Sequence, residues 1–143
     1  MSSSRANIQP MIFRQLSLPS SPDAIHEVEM VVEEIRQELD FKEDVYANVM
    51  VAVTEAVNNS IIHGNKSNQQ KKVYVEFETM GNYRLLIRVH DEGLGFDPKQ
   101  LDDPTAPQNI DRIGGRGVFL MRQLADRIDF GDNGRQVEMT FNI

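Results

Sequence analysis

The stretch EAVNNSIIHG, residues 55–64, decides the fold of this 143-residue chain, because it sets a carboxylate, an amide and an imidazole at regular spacing within a helical pattern. Two further segments follow it, DEGLGFD at residues 91–97 and GGRG at residues 114–117. Each segment alone is a weak signal, but their order along one short chain predicts a single nucleotide site. This site would be built without a P-loop, because the sequence has no GxxxxGK[ST] motif.

The first segment ends a predicted helix that runs from about residue 42 to residue 63 and stops at Gly64. Glu55, Asn59 and His63 follow each other at intervals of four, so they span about 80° of the helix surface beside its apolar stripe. The amide oxygen of Asn59 can ligate Mg²⁺, and Glu55 can accept the proton of an attacking hydroxyl or water. A solvated polar face that ends in an ordinary histidine explains the same spacing, so the helix alone leaves both interpretations open.

The second segment follows a predicted strand. Asp91 at the strand end can accept a hydrogen bond from an adenine amino group. Gly93 and Gly95 would let the backbone approach a ligand without a Cβ clash. A plain acidic turn is an alternative interpretation. A calcium loop formed with Glu92 and Asp97 is another, although the segment lacks the spacing and the terminal glutamate of an EF-hand.

The third segment lies at the start of a predicted helix. Free backbone N–H groups at Gly115 and Gly117, together with the helix dipole, favour an anion at this position. Arg116 would add a charge-assisted contact to phosphate. A flexible hinge and helix cap explains the segment equally well. Arg112, in the loop before it, is a further candidate for a contact with phosphate or a partner.

The rest of the pattern predicts a mostly antiparallel sheet with helices packed on one face, a two-layer α+β domain. Alternating apolar and polar residues at 73–78 and 85–90 indicate a hairpin. Further strands are predicted near residues 11–18, 128–130 and 137–143, and further helices near 25–39 and 115–126. We expect a loosely ordered tail at residues 1–10 and one domain over residues 11–143. Residues 96–114 form a long loop with three prolines, which is typical of a functional or disordered segment.

Composition limits the class of protein. The sequence has no apolar run of the roughly 18 residues that a membrane helix requires, and its polar start does not resemble a signal peptide. The absence of cysteine excludes disulfides, thiolate zinc sites and thiol catalysis, and favours the cytoplasm. A net charge of −7 argues against nucleic acid as the main ligand, because phosphate neutralisation requires a basic surface.

With these motifs in place, the chain resembles the stand-alone GHKL-type ATPases that act as bacterial anti-sigma factors and serine kinases, the RsbW and SpoIIAB group. The resemblance covers about residues 11–143. Residues 55–64 are similar to the N box of this group, residues 91–97 to its first glycine box, and residues 114–126 to its second glycine box with the following helix. The resemblance implies the Bergerat ATP-binding fold of histidine-kinase-like ATPases.

The resemblance also implies roles for individual residues. Glu55 is expected to be the general base, Asn59 the magnesium ligand and Asp91 the residue that recognises adenine, with a flexible lid over residues 96–114. The expected cofactors are ATP and Mg²⁺. The residues expected to bind the nucleotide are Asn59, His63, Asp91, Gly93, Gly95, Gly115, Arg116 and Gly117.

The partners implied by the resemblance are proteins. Members of the group bind a sigma factor, usually as a homodimer, and phosphorylate a serine on a STAS-domain anti-anti-sigma factor, which a PP2C-type phosphatase resets. Two departures stand out. Gly134-Arg135-Gln136-Val137 replaces a hairpin that commonly carries a threonine near the phosphates, which predicts weaker nucleotide handling. The first helix, a partner-binding element in the group, is strongly acidic here.

The leading expectation is therefore an ATP-dependent serine kinase that acts as an anti-sigma-type switch. A non-catalytic partner-binding module of the same fold is a second hypothesis. The ATPase module of a histidine kinase is a third, although the chain is short for an added phosphoacceptor helix pair and no suitable histidine helix is visible in its sequence.

Overall fold

The chain folds as alternating groups of strands and helices, seen in a computed structural model that describes residues 12–81, 83–94 and 115–143. The elements in chain order are β1 (Phe13–Pro19), α1 (Ala24–Leu39), α2 (Glu43–Asn59), β2 (Lys72–Met80), β3 (Arg84–His90), α3 (Gly115–Leu124), β4 (Arg127–Gly131) and β5 (Gln136–Asn142). A π-helical turn, Ser60–Gly64, extends α2, and a 3-10 turn, Asp132–Gly134, joins β4 to β5. The predicted tail at residues 1–10, Gly95, and the predicted lid at 96–114 with Asp97, Arg112 and Gly114 lie outside the described residues.

The strands of the described residues form one antiparallel sheet in the order β1-β2-β3-β5-β4. The predicted hairpin is confirmed, with Val75 opposite Val89 and Phe77 opposite Ile87. Because successive side chains of a strand point to opposite faces, these residues fall on one apolar face and are fully buried.

The helices cover that apolar face. Their buried residues recur at intervals of three and four, which places them on one stripe of each helix. On α1 this stripe consists of Val28, Val32 and Ile35, and on α2 it consists of Val49, Val53 and Ala56. The predicted two-layer α+β architecture is therefore confirmed. Within the described residues, no helix combines the length and the apolar character needed to cross a membrane.

The end of α2 differs from the prediction. The α-helix ends at Asn59, and the chain continues as a π-helical turn that is closed by the N–H of Asn65 donating to the carbonyl of Ser60 at 2.7 Å. A π turn contains more residues than an α turn. The angular spacing predicted for a continuous α-helix therefore holds up to Asn59 and is wrong for His63, which the π turn rotates about the helix axis.

Candidate functional site

A cavity lies where the end of α2, the end of β3, helix α3 and the β4–β5 hairpin meet. The described residues that line it are Ala56, Asn59, Ser60, His63, Gly64, Lys66, Val89, Asp91, Met121, Phe130, Gly134, Arg135 and Val137. Asn59, His63 and Asp91 come from two separate sequence segments and reach the same cavity. The sheet and α3 supply apolar walls, so the cavity combines apolar side chains with a few polar groups, as small-molecule sites commonly do.

Asp91 is the most buried acidic side chain of the site, with 5% of its surface exposed. Its Oδ1 accepts a hydrogen bond from the N–H of Gly93 at 2.8 Å, and the Ser60 side chain also donates to it. Burial raises the pKa of the Asp91 carboxyl, while the hydrogen bonds and the nearby Arg135 act in the opposite direction. The carboxyl group is thus held in place by short contacts in a water-poor position.

Two glycines let the end of α2 pack against the loop that carries Asp91. A Cβ added at Gly64 would lie 2.4 Å from Oδ2 of Asp91, and a Cβ added at Gly93 would lie 2.0 Å from the carbonyl oxygen of Gly64. Both distances are far shorter than van der Waals contact. A glycine at position 64 is therefore required for this close approach, whereas the sequence indicated only that the helix stops there. Gly93 is required as well, because an added Cβ would meet a backbone carbonyl.

The third glycine segment reaches the same site through Asn59. Gly117 lies in the first turn of α3 and is buried, and a Cβ added there would lie 2.5 Å from Nδ2 of Asn59. Helix α3 therefore begins directly against the amide of α2. Gly115 is the first residue of α3, and the Arg116 side chain is exposed beside this turn.

Glu55 and His63 occupy different positions relative to the cavity. Glu55 is half-buried one helical turn before Asn59 and is not among the described residues that line the cavity. His63 lines it, and burial lowers the pKa of its imidazole, with the positive charge of Lys66 acting in the same direction. His63 is therefore a neutral hydrogen-bonding group at pH 7.

One residue beside the site, Asn65, carried no signal in the sequence. Asn65 is almost fully buried, and its Nδ2 donates to the Ser20 hydroxyl at 2.9 Å and to the Lys72 carbonyl at 3.0 Å. Its Oδ1 accepts from the N–H of Glu92 at 2.8 Å. Asn65 thus joins three distant segments beneath the Asp91 loop. An asparagine in a polar loop has no periodic pattern that would have distinguished it.

Arg135, noted in the sequence as a departure from the group, lies at the Asp91 end of the cavity. Its carbonyl accepts a hydrogen bond from the N–H of Asp91 at 3.0 Å, and its guanidinium donates to the carbonyl of Gly93 at 3.4 Å. The weaker nucleotide handling expected from the missing threonine stays a prediction. The antiparallel pairing of His90 on β3 with Gln136 on β5 places the two strands side by side and brings Arg135 next to Asp91.

The oxygen and nitrogen donors of the site determine which metal ion it could hold. Among the residues that the structure describes, no group of three or more His, Cys, Asp and Glu side chains is arranged to hold a metal ion. The Glu92 carboxylate accepts from the N–H of Lys72 and the hydroxyl of Tyr74, so this oxygen is hydrogen-bonded to strand β2. The oxygen of Asn59 fits Mg²⁺, since that ion is commonly held by few protein ligands together with phosphate oxygens and water.

Comparisons with known proteins agree with this architecture. The profile of the family described as "Histidine kinase-like ATPase domain" matches residues 18–141. The serine-protein kinase RsbW of Listeria innocua is 29% identical over 132 residues, which cover 87% of this chain and 83% of that protein. The serine-protein kinase RsbW of Bacillus subtilis is 28% identical over 120 residues, which cover 80% of this chain and 74% of that protein.

A solved structure supports the same fold. The crystal structure of the RsbU and RsbW domains of Rv1364c from Mycobacterium tuberculosis superimposes with a TM-score of 0.63 at 16% identity, over 94% of this chain. This chain spans 32% of the length of that one, so the likeness concerns one domain. The resemblance to RsbW proteins and the GHKL-type fold are confirmed. Since the family profile matches most of its length, the chain belongs to the histidine kinase-like ATPase domain family.

Proposed function

We propose that this protein binds ATP in the cavity and transfers its γ-phosphoryl group to a serine of a partner protein, as an anti-sigma-factor-type serine kinase. The observation that carries the proposal is the convergence of Asn59, Asp91 and Gly117, three residues from three sequence motifs, on one site. Family membership supports ATP binding, and the serine-protein kinase relatives support the transfer to serine.

The adenine end of the site would be formed by Asp91. A carboxylate has about four lone-pair positions, so the hydrogen bonds from Gly93 and Ser60 leave capacity for the amino group of adenine. The base itself would pack between apolar side chains from the sheet and from α3. These side chains are Val89, Met121, Phe130 and Val137.

The phosphate end would be formed by Asn59 and the start of α3. Free N–H groups of the first turn, from Gly115 onwards, and the exposed Arg116 supply positive potential for the phosphates. Mg²⁺, held through the amide oxygen of Asn59, would neutralise part of the phosphate charge. Contact between Gly117 and Asn59 couples the position of this amide to the position of α3.

Glu55 would act as the general base. It lies one turn before Asn59 on the same helix edge, where its carboxylate would accept the proton from the attacking serine hydroxyl. Phosphoryl transfer requires little further chemistry from the protein, because alignment of the reacting groups and electrostatic stabilisation supply most of the rate.

The partners proposed for the kinase follow its RsbW-like relatives. They are a sigma factor and a STAS-domain anti-anti-sigma factor, and a PP2C-type phosphatase would act in the same pathway. We further propose that the protein is a homodimer and lies in the cytoplasm. The exposed acidic face of α1, which includes Glu27, Glu34 and Glu38, offers a surface for a basic partner. One observation favours a non-catalytic partner-binding module as the second candidate: Glu55 is not among the described residues that line the cavity.

Two variants test the kinase proposal. Calorimetry with ATP and Mg²⁺ should show binding by the unmodified protein and none by Asp91→Asn, because the amide presents a donor toward the amino group. Glu55→Ala should bind ATP normally and lose the transfer of labelled phosphate to a STAS-domain protein. Asp129→Asn, an exposed change on β4, is the matched control. ATP binding by Asp91→Asn at unchanged affinity would contradict the adenine assignment, and transfer by Glu55→Ala would contradict the role of the base.

A further inference from the structure

We infer that Arg135 is a specificity-determining residue, whose guanidinium donates a hydrogen bond to a ring nitrogen of adenine. This nitrogen lies next to the adenine amino group, from which Asp91 accepts a hydrogen bond. The inference rests on the proposed binding of ATP in this cavity. It adds a second point of base recognition that comes from the β4–β5 hairpin rather than from the three sequence motifs.

The position of Arg135 supports this role. Its side chain lines the same cavity as Asp91. Its Nη1 donates to the carbonyl of Gly93, two residues beyond Asp91, and its own carbonyl accepts the N–H of Asp91. The guanidinium therefore contacts the loop that presents the Asp91 carboxyl group, and both side chains line the cavity that the base would occupy.

The guanidinium is held in place before any ligand arrives. Its Nε and Nη2 donate to the carboxylate of Asp132 at 3.3 Å and 3.0 Å. That carboxylate also contacts Nε2 of His90 at 2.7 Å. Asp132, Asn133 and Gly134 have φ angles of 51°, 56° and 86°, so the turn is left-handed throughout. A planar fork that is already fixed loses little conformational entropy when it binds a ligand.

The remaining donors define what Arg135 can recognise. A guanidinium carries five N–H groups and accepts no hydrogen bond. Among the described contacts, Asp132 and Gly93 take three of these N–H groups, which leaves one on each terminal nitrogen. Asp91 and Arg135 thus set an acceptor and a donor side by side. In adenine the amino group is flanked by two acceptor nitrogens, N1 and N7, so the base matches this pair from either edge.

Base analogues that lack one ring nitrogen separate this role from a structural one. We would measure the affinities of ATP, 1-deaza-ATP and 7-deaza-ATP for the unmodified protein and for Arg135→Met by calorimetry in the presence of Mg²⁺. A hydrogen bond to a charged donor contributes enough that its loss weakens binding about tenfold or more. One of the two analogues should therefore bind the unmodified protein about tenfold more weakly than ATP, which also identifies the nitrogen concerned.

The variants complete the test. Arg135→Met should bind ATP about tenfold more weakly and should no longer distinguish ATP from that analogue. The control is Arg127→Met, which removes an exposed arginine of β4 that does not line the cavity and should preserve the discrimination. Where Arg135→Met does not fold, the analogue series on the unmodified protein still tests the inference, because equal affinities would overturn it, and Arg135→Gln then serves as the variant.

The outcomes distinguish this inference from the proposed function. Equal affinity of the unmodified protein for all three nucleotides would overturn the inference and leave ATP binding intact. Discrimination that persists in a folded Arg135→Met would also overturn it, because another group would then contact the nitrogen. Absence of binding by every nucleotide would refute the proposed function itself, and the inference with it.

Discussion

Gly117 and Asn59 are in such close contact that a Cβ at position 117 would lie 2.5 Å from the amide nitrogen of Asn59. Gly117 lies in the first turn of α3, and Asn59 ends the α-helical part of α2. Their contact joins the two helices at the point where the phosphates of a nucleotide would lie. The geometry of this contact determines where the amide points, and it leads to the first prediction.

Gly117→Ala should weaken the binding of ATP with Mg²⁺ about tenfold or more while changing stability little. The added methyl group meets the end of a side chain, so the Asn59 amide can rotate away and relieve the clash at the expense of the metal ligation proposed for it. Calorimetry and thermal unfolding would measure both effects. Gly131→Ala is the matched control, because the nearest atom to its added Cβ is 3.9 Å away. Unchanged ATP affinity in Gly117→Ala would show that the amide position is not critical.

Gly93→Ala, unlike Gly117→Ala, should lower the stability of the folded protein. Its Cβ would lie 2.0 Å from the carbonyl oxygen of Gly64, and a backbone group cannot rotate out of the way as a side chain can. Overpacking of this kind costs about 1–3 kcal/mol in the free energy of unfolding. Urea denaturation would measure it, with Gly131→Ala again as the control. Wild-type stability in Gly93→Ala would mean that the 91–93 loop has room to move away from α2.

Asn65→Ala should destabilise the protein by about 1–3 kcal/mol, because it removes three hydrogen bonds, one of them to the buried Ser20. The groups affected are the Ser20 hydroxyl, the Lys72 carbonyl and the N–H of Glu92. Urea denaturation measures the change, and Asn68→Ala is the control, since Asn68 is exposed and its side chain accepts the N–H of the exposed Gln70. Equal stability of the two variants would contradict the structural role assigned to Asn65.

Asp132 should make stability depend on pH in the acidic range. Hydrogen bonds from Arg135 and His90 lower the pKa of the Asp132 carboxyl from 3.8 to about 2 in the folded protein. The contribution of this ion pair is therefore complete above pH 3.8 and is lost as the pH falls from 3.8 through about 2.

The measurement is urea unfolding of the unmodified protein and of Asp132→Asn as the pH is lowered across that window. The difference in stability between the two proteins should narrow with falling pH. It should also shrink in high salt, because the Asp132 side chain is 45% exposed and its charge is screened. A difference that stays constant from neutral pH down to pH about 2 would rule out the ion pair as its source.

The secondary structure was predictable where hydrophobic periodicity is regular. The hairpin of β2 and β3, the apolar stripes of the helices and the two-layer α+β class all followed from local pattern and are confirmed. The end of α2 was predicted wrongly, because a π turn at Ser60–Gly64 depends on hydrogen bonds that Asn65 makes after the helix. Such bonds have no periodic signature in the sequence.

Some residues of the candidate site could likewise be predicted from the sequence, and others could not. Asn59, His63 and Asp91 were recognisable as residue types at meaningful spacing, and they do line one cavity. Arg135 was noted only as a departure from the group, and its place beside the Asp91 loop was not predicted. Its position depends on the register between β3 and β5, which the sequence does not specify.

The sequence by itself determined which residues could form regular elements and which chemical groups were available, because periodicity and side-chain chemistry are local properties of a chain. Only the tertiary structure decided which of these groups share a cavity, why Gly64, Gly93 and Gly117 admit no side chain, and which residue stands beside Asp91. These relationships depend on distances between segments far apart in the chain, and packing of the helices on the sheet sets those distances.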